Sequence, residues 1–135
     1  MTTTPSSSHP SPQPVAVVTG AARGLGLAIS RWFLEHGHQV ALLDIEAQTL
    51  SSAHESLGQS RDCLPLVVDV SQEDQVAAAH EAVLSRFGRV DALVNNAGVA
   101  SFAPALDTSF EEWRRILSIN LDGVFLCTQA FGRTM

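Results

Sequence analysis

Residues 15–26 of the chain read Val-Ala-Val-Val-Thr-Gly-Ala-Ala-Arg-Gly-Leu-Gly, and few folds can accommodate that run. Four apolar residues lead straight into glycines at 20, 24 and 26, the pattern of a buried strand turning sharply into a helix. Each glycine frees a different piece of backbone. Gly20 can take the positive φ of a tight strand-to-helix turn. Gly24 omits a Cβ where an anion must come close to the main chain, and Gly26 lets the new helix lie against the strand. Free N–H groups of the first helical turn, reinforced by the macrodipole, then face that anion. The stretch reads as a pyrophosphate cradle. A glycine triplet alone is weak, but the Val-rich run before it and the amphipathic segment after it supply the context the motif needs.

The rest of the composition narrows the field. With 135 residues, 45% of them hydrophobic, the chain is long enough for one domain; a domain of that size buries roughly two-thirds of its unfolded surface. Fourteen acids against eight dispersed bases give a net charge of −6, so nucleic acid is not an expected partner. Cys63 and Cys127 form no Cys-x-x-Cys pair and no cluster with histidine; no metal site is expected, and both read as reduced core residues. Histidines 9, 36, 38, 54 and 80 are scattered and read as solvated.

Residues 1–14 hold four prolines, no charge and no apolar side chain after Met1, and are expected to be a disordered leader. They lack the basic start and apolar stretch of a signal peptide and the arginines of a transit peptide. No window reaches the ~18 apolar residues of a membrane span, so the cytoplasm is the expected compartment. All eight basic residues are arginine, and the chain has neither lysine nor tyrosine. No mechanism that draws a phenol or an ammonium group from these residues is open to it.

Along the chain, Leu25, Ala28, Ile29, Trp32 and Phe33 recur at helical spacing, giving a helix over 24–36 stopped by Gly37. Trp32 and Phe33 read as core packing rather than a ligand box. Residues 39–43 form a second apolar strand ending in Asp44, 24 residues after Gly20. An acid placed there meets ribose hydroxyls or caps the next helix, and the two roles are compatible. A weaker helix spans 46–57. A third strand over 64–68, with Pro65 near its start as befits an edge strand, ends at Asp69-Val70. Ser71 and Asp74 resemble a capping box for a third helix striped by Val76, Ala79, Val83, Leu84 and Phe87. A fourth strand over 90–94 delivers Asn95-Asn96-Ala97-Gly98. Thr108 and Glu111 form another capping box, opening one long helix that runs near Met135.

Strands alternating with helices predict an α/β fold, a doubly wound parallel sheet of Rossmann-like form with right-handed crossovers, truncated after about four strands. The polar signals at Thr19–Gly26, Asp44, Asp69-Val70 and Asn95–Gly98 then all fall at strand C-terminal ends, where such sheets bind ligands.

The motif Thr19-Gly20-x-x-x-Gly24-x-Gly26, with Asp44, Asp69-Val70, Asn95-Asn96-Ala97-Gly98 and Asn120 in Ser-Ile-Asn-Leu, resembles the short-chain dehydrogenase/reductase family in order and spacing over nearly all of 15–135. The resemblance implies a dinucleotide-binding domain over 15–135, incomplete at its C-terminus. It implies that Gly20, Arg23, Gly24, Leu25 and Gly26 hold the phosphate and ribose region. Asp69 would bind the adenine amino group, with backbone contacts from Val70. Asn96, Ala97 and Gly98 would line the nicotinamide-side ribose, while Thr19 and Asn95 tie the central strands together. Asn120 matches the family's catalytic Asn, which sits at a helix kink and holds a water in the proton relay.

Asp44 implies NAD rather than NADP. A carboxylate about 4 Å from a 2′-phosphate is repelled by roughly 4 kcal/mol per unit charge at a surface-like dielectric, before screening. Arg23 pulls towards NADP but stands farther from the ribose hydroxyls. The family's proton-transferring Tyr and Lys and its substrate-orienting Ser follow the helix bearing Asn120, and none is found here. The leading expectation is therefore the cofactor-binding half of an NAD-dependent oxidoreductase acting on an alcohol or ketone, inactive by itself and possible as a homo-oligomer. The alternative is a non-catalytic NAD-binding or protein-interaction module. A methyltransferase-like domain shares the topology but leaves Asn95–Gly98 unexplained.

Overall fold

The computed structural model describes residues 12–135. Most of the expected leader, residues 1–11, lies outside them; at its end, the Pro14 carbonyl accepts from the Gln39 N–H at 2.9 Å. In chain order the elements are β1 (Val15–Thr19), α1 (Gly24–Glu35), β2 (Gln39–Asp44), α2 (Ala47–Ser56), β3 (Cys63–Val67), α3 (Glu73–Phe87) and β4 (Ala92–Val94). A 3₁₀ turn (Ala105–Asp107), α4 (Phe110–Leu117), a π-helical stretch (Ser118–Asp122) and α5 (Gly123–Gly132) follow.

The four strands form one parallel sheet in the order β3-β2-β1-β4. Alternation along β1 sends Val15 and Val17 to one face and Ala16 and Val18 to the other, and all four are fully buried. Val15 and Val17 pack with Val76, Ala79 and Val83 of α3 and Cys127 and Phe131 of α5. Ala16 and Val18 pack with Leu50, Cys63 and the flanking Ile29 and Phe33. Apolar residues on both faces of each strand are what a parallel sheet covered on two sides requires. Each fully buried aliphatic side chain contributes about 1.5–3 kcal/mol.

Several expectations shift in detail. Of the expected stripe on α1, Ile29 and Phe33 pack on the sheet, joined by the buried Gly26 and Ser30, whereas Leu25 and Trp32 are 68% and 53% exposed. Ser30 fits inside because its hydroxyl donates to the Gly26 carbonyl at 2.8 Å. Trp32 stacks instead on the exposed His36 ring, centroids 4.0 Å apart. Pro65 stands in the middle of β3, opposite Leu42, and is tolerated because β3 is an edge strand. The single long helix is broken by the π-helical stretch into α4 and α5. Its cap is Ser109, which accepts from the Glu112 N–H at 3.1 Å, not Thr108. No helix among the described residues is long and apolar enough to cross a membrane.

Candidate functional site

A cleft of about 510 Å³ opens along the C-terminal ends of all four strands. Its lining includes Gly20 after β1, Asp44 at the end of β2 with Ile45 and Glu46 beyond it, and Val68, Asp69 and Val70 after β3. Asn96, Ala97, Gly98 and Val99 after β4 close one side, and Arg23, Gly24 and Leu25 at the start of α1 another. Ten of the sequence-derived candidates are thereby brought together: Gly20, Arg23, Gly24, Leu25, Asp44, Asp69, Val70, Asn96, Ala97 and Gly98. Gly26 and Asn120 do not line the cleft. Ile45, Val99 and Ile119 do, and the sequence does not mark them, because an apolar side chain beside a motif carries no chemical signature of its own.

The glycine-rich turn is built by close approach. Gly20 has φ +62° and Gly24 +53°, both left-handed. A Cβ on Gly26 would come within 2.1 Å of the Gly20 carbonyl oxygen and 2.6 Å of the Asn96 amide nitrogen, so Gly26 admits the turn's own carbonyl, not only the strand. A Cβ on Gly24 would meet nothing within 4 Å. The N-cap of α1 is Arg23, whose side chain makes no cap bond, and its first turn holds no acid, which leaves first-turn N–H groups without a side-chain partner.

Asp44 does more than close β2. One carboxylate oxygen accepts from the Ala22 N–H and the other from the Glu46 N–H, both at 3.0 Å. It thus pins the glycine-rich turn to the end of β2 while keeping further lone pairs on each oxygen. Ala21 adds a main-chain bond from its N–H to the Leu43 carbonyl at 3.1 Å.

The wall after β4 hangs on Thr19. Its buried hydroxyl accepts from the N–H groups of Asn96 (3.0 Å) and Ala97 (2.9 Å) and donates to the Val94 carbonyl (3.4 Å). The Asn96 carboxamide donates to the carbonyls of Thr19 and Gly20, each at 3.1 Å. The residue that ties β4 to β1 is therefore Asn96; Asn95 points the other way and donates to the Thr128 hydroxyl at 3.2 Å. Asn120 sits within the π-helical stretch and grips Val99 twice, accepting from its N–H and donating to its carbonyl, both at 2.8 Å.

After β3, the Asp69 Oδ1 accepts from the Ser71 hydroxyl at 2.6 Å and from the Ser71 N–H at 3.0 Å, while the Asp69 N–H donates to the Gln75 side chain at 2.8 Å. The expected cap of α3 is absent. Its N-cap is Gln72, with no side-chain bond. The cleft lining carries three carboxylates, Asp44, Glu46 and Asp69, against one guanidinium, Arg23. Among the described residues no group of three or more His, Cys, Asp and Glu is placed to hold a metal. Both cysteines are free and buried, and burial pushes each thiol up from 9.0 to about 11.

A cleft at the point where strand order reverses, here between β1 and β4, is the ligand-binding place of doubly wound parallel sheets. The family model for short chain dehydrogenase matches residues 14–135, and the chain belongs to that family. It is 43% identical over 122 residues to D-threitol dehydrogenase of Mycolicibacterium smegmatis, covering 90% of this chain and 47% of the relative. To galactitol 2-dehydrogenase (L-tagatose-forming) of Cereibacter sphaeroides it is 41% identical, covering 89% and 46%. The crystal structure of 3-ketoacyl-(acyl-carrier-protein) reductase from Brucella melitensis complexed with NADH superposes with a TM-score of 0.86 at 34% identity, over 92% of this chain and 51% of that one. The chain thus spans about half the length of the curated relatives it matches.

Proposed function

We propose that residues 15–135 hold NAD for an oxidoreductase that moves hydride between the nicotinamide and an alcohol or ketone carbon. One observation carries this reading: four strand ends of a parallel sheet converge on one cleft, with the Asp44 carboxylate fixed by two N–H groups beside the glycine-rich turn. The donor set fits a dinucleotide. The turn from Gly20 through Arg23, Gly24, Leu25 and Gly26, with the first N–H groups of α1, takes the pyrophosphate. Asp44 accepts from the adenosine ribose hydroxyls, and Asp69 and Val70 meet the adenine. Asn96, Ala97 and Gly98 line the second ribose, and Asn120 holds the loop at Val99 and takes part in the proton relay.

The bound nicotinamide supplies the hydride chemistry; the chain binds and orients it. A lining with three carboxylates and one guanidinium disfavours an added 2′-phosphate, which supports NAD over NADP. The chain has no tyrosine or lysine, so in this reading the proton-transferring group belongs to sequence outside these 135 residues, and the 135 residues alone turn nothing over. The names of the two relatives make sugar alcohols the first substrate class to test. Association of copies through the exposed side chains of α4 and α5 belongs to the same reading.

Isothermal calorimetry tests the cofactor. NAD is expected to bind with at least about tenfold preference over NADP, the size of one lost charged contact. Equal affinities, or no binding of either, would overturn the proposal.

A further inference from the structure

The hydroxyl of Ser71 is spent in an unexpected place. A serine directly before Gln72 and the first turn of α3 is a natural helix cap, worth about 1 kcal/mol. Here α3 goes without a side-chain cap. The Ser71 hydroxyl turns back to Asp69 Oδ1 at 2.6 Å, the Ser71 N–H donates to the same oxygen at 3.0 Å, and the Gln72 side chain donates to the Ser71 oxygen at 3.2 Å. A relay from Gln72 through Ser71 to Asp69 polarises each bond in turn. Two donors on one oxygen fix the rotation of the carboxylate. The other, Oδ2, accepts no hydrogen bond among the described residues. The Gln75 side chain, 2.8 Å from the Asp69 N–H, holds the main chain beneath it. Asp69 lines the cleft and Ser71 does not, so Ser71 reaches a ligand only through Asp69. Giving up a cap to orient a neighbouring carboxylate is a local sacrifice of the kind found at functional sites.

We propose that Ser71 is a positioning residue for recognition of the adenine amino group: it ties down Oδ1 of Asp69 and leaves Oδ2 as the acceptor offered to the cleft. The inference rests on the reading of Asp69 as the adenine contact. A base with a carbonyl oxygen where adenine has its amino group meets this fixed acceptor as an unfavourable oxygen–oxygen pair.

The test compares NAD with nicotinamide hypoxanthine dinucleotide, which carries that carbonyl, by calorimetry on the full chain. Asp69→Ala is expected to reduce the preference for NAD by about tenfold, the worth of one hydrogen bond to a charged group. Ser71→Ala is expected to reduce it by about fourfold, and Ser71→Thr, which keeps the hydroxyl, to restore it. General destabilisation weakens both ligands alike and leaves the ratio unmoved, so the ratio is the readout. Full preference in Ser71→Ala with loss in Asp69→Ala would overturn the role of Ser71 alone. Full preference in Asp69→Ala would overturn the adenine reading and the inference with it.

Discussion

Strands β1 and β2 and the segment from Phe102 to Phe125 are both rich in apolar residues and use them in opposite ways. In the first, every apolar side chain of β1 and β2 is wholly buried, and the turn between β1 and α1 is pinned by Asp44 and Asn96. In the second, Phe102, Leu106, Phe110, Trp113, Leu121 and Phe125 all stand largely exposed. Burial, not composition, decides what a residue does for a fold. Substitutions in the first segment should therefore be read out as stability or binding, and those in the second as solubility and association.

The sharpest contrast lies within α5. Phe131 is fully buried and Phe125, six positions earlier, is 62% exposed. Phe131→Ala is expected to cost about 4 kcal/mol in denaturant unfolding, while Phe125→Ala stays within about 0.5 kcal/mol. Equal losses would erase the distinction.

Next come the glycines of the turn. Gly26→Ala forces a Cβ against the Gly20 carbonyl and is expected to cost about 3 kcal/mol. At Gly24 a Cβ meets nothing within 4 Å, so Gly24→Val is expected to cost about 2 kcal/mol through its left-handed φ, but should abolish NAD binding by calorimetry. Unchanged NAD affinity in Gly24→Val would remove the reason given for that glycine.

Asp44→Ala is expected to shrink the preference for NAD over NADP by about tenfold in paired titrations. It also leaves the Ala22 N–H without its partner, so binding of both cofactors should weaken somewhat. The smallest effect belongs to the far end of β1, where the Asp91 carboxylate accepts from the Val15 N–H at 2.8 Å and pairs with Arg89 at 2.6 Å. The Arg89 hydrogen bond holds the Asp91 carboxyl below the usual carboxylate range. Its contribution is present above that range and lost as pH falls through the lowered value. Arg89→Ala should flatten the acid limb of a melting-temperature profile slightly, as expected of an exposed pair.

Much of the fold is legible in the sequence, and the departures from it share a cause. Strand–helix alternation and the placement of four polar signals at strand ends followed from periodicity and glycine spacing. Where two residues fit one pattern equally well, the sequence could not choose. Thr108 with Glu111 and Ser109 with Glu112 both satisfy a capping box; the Thr108 hydroxyl instead donates to the Pro104 carbonyl at 3.0 Å. Leu25, Ala28, Ile29, Trp32 and Phe33 all recur at helical spacing, but the close approach at Gly26 turns Ile29 and Phe33 onto the sheet and leaves Leu25 and Trp32 outside. Asn95 and Asn96 differ only in which way successive side chains point, so β4 sends one to Thr128 and the other to the turn. The Ser71 hydroxyl, in place of accepting at a helix cap, donates to the carboxylate two residues back. Periodicity alone does not announce the extra residue that widens the helix at Asn120; the family resemblance, which places that Asn at a helix kink, does.

The two thiols fall in the layers on opposite faces of the sheet, Cys63 on β3 in the cluster with α1 and α2, and Cys127 on α5 in the cluster with α3. Each is buried and protonated well past neutrality, so an alkylating reagent reaches it only when its own layer parts from the strands. The molecule thereby carries one chemical clock per layer, and the two labelling rates, compared with and without dinucleotide, tell which side of the sheet breathes first.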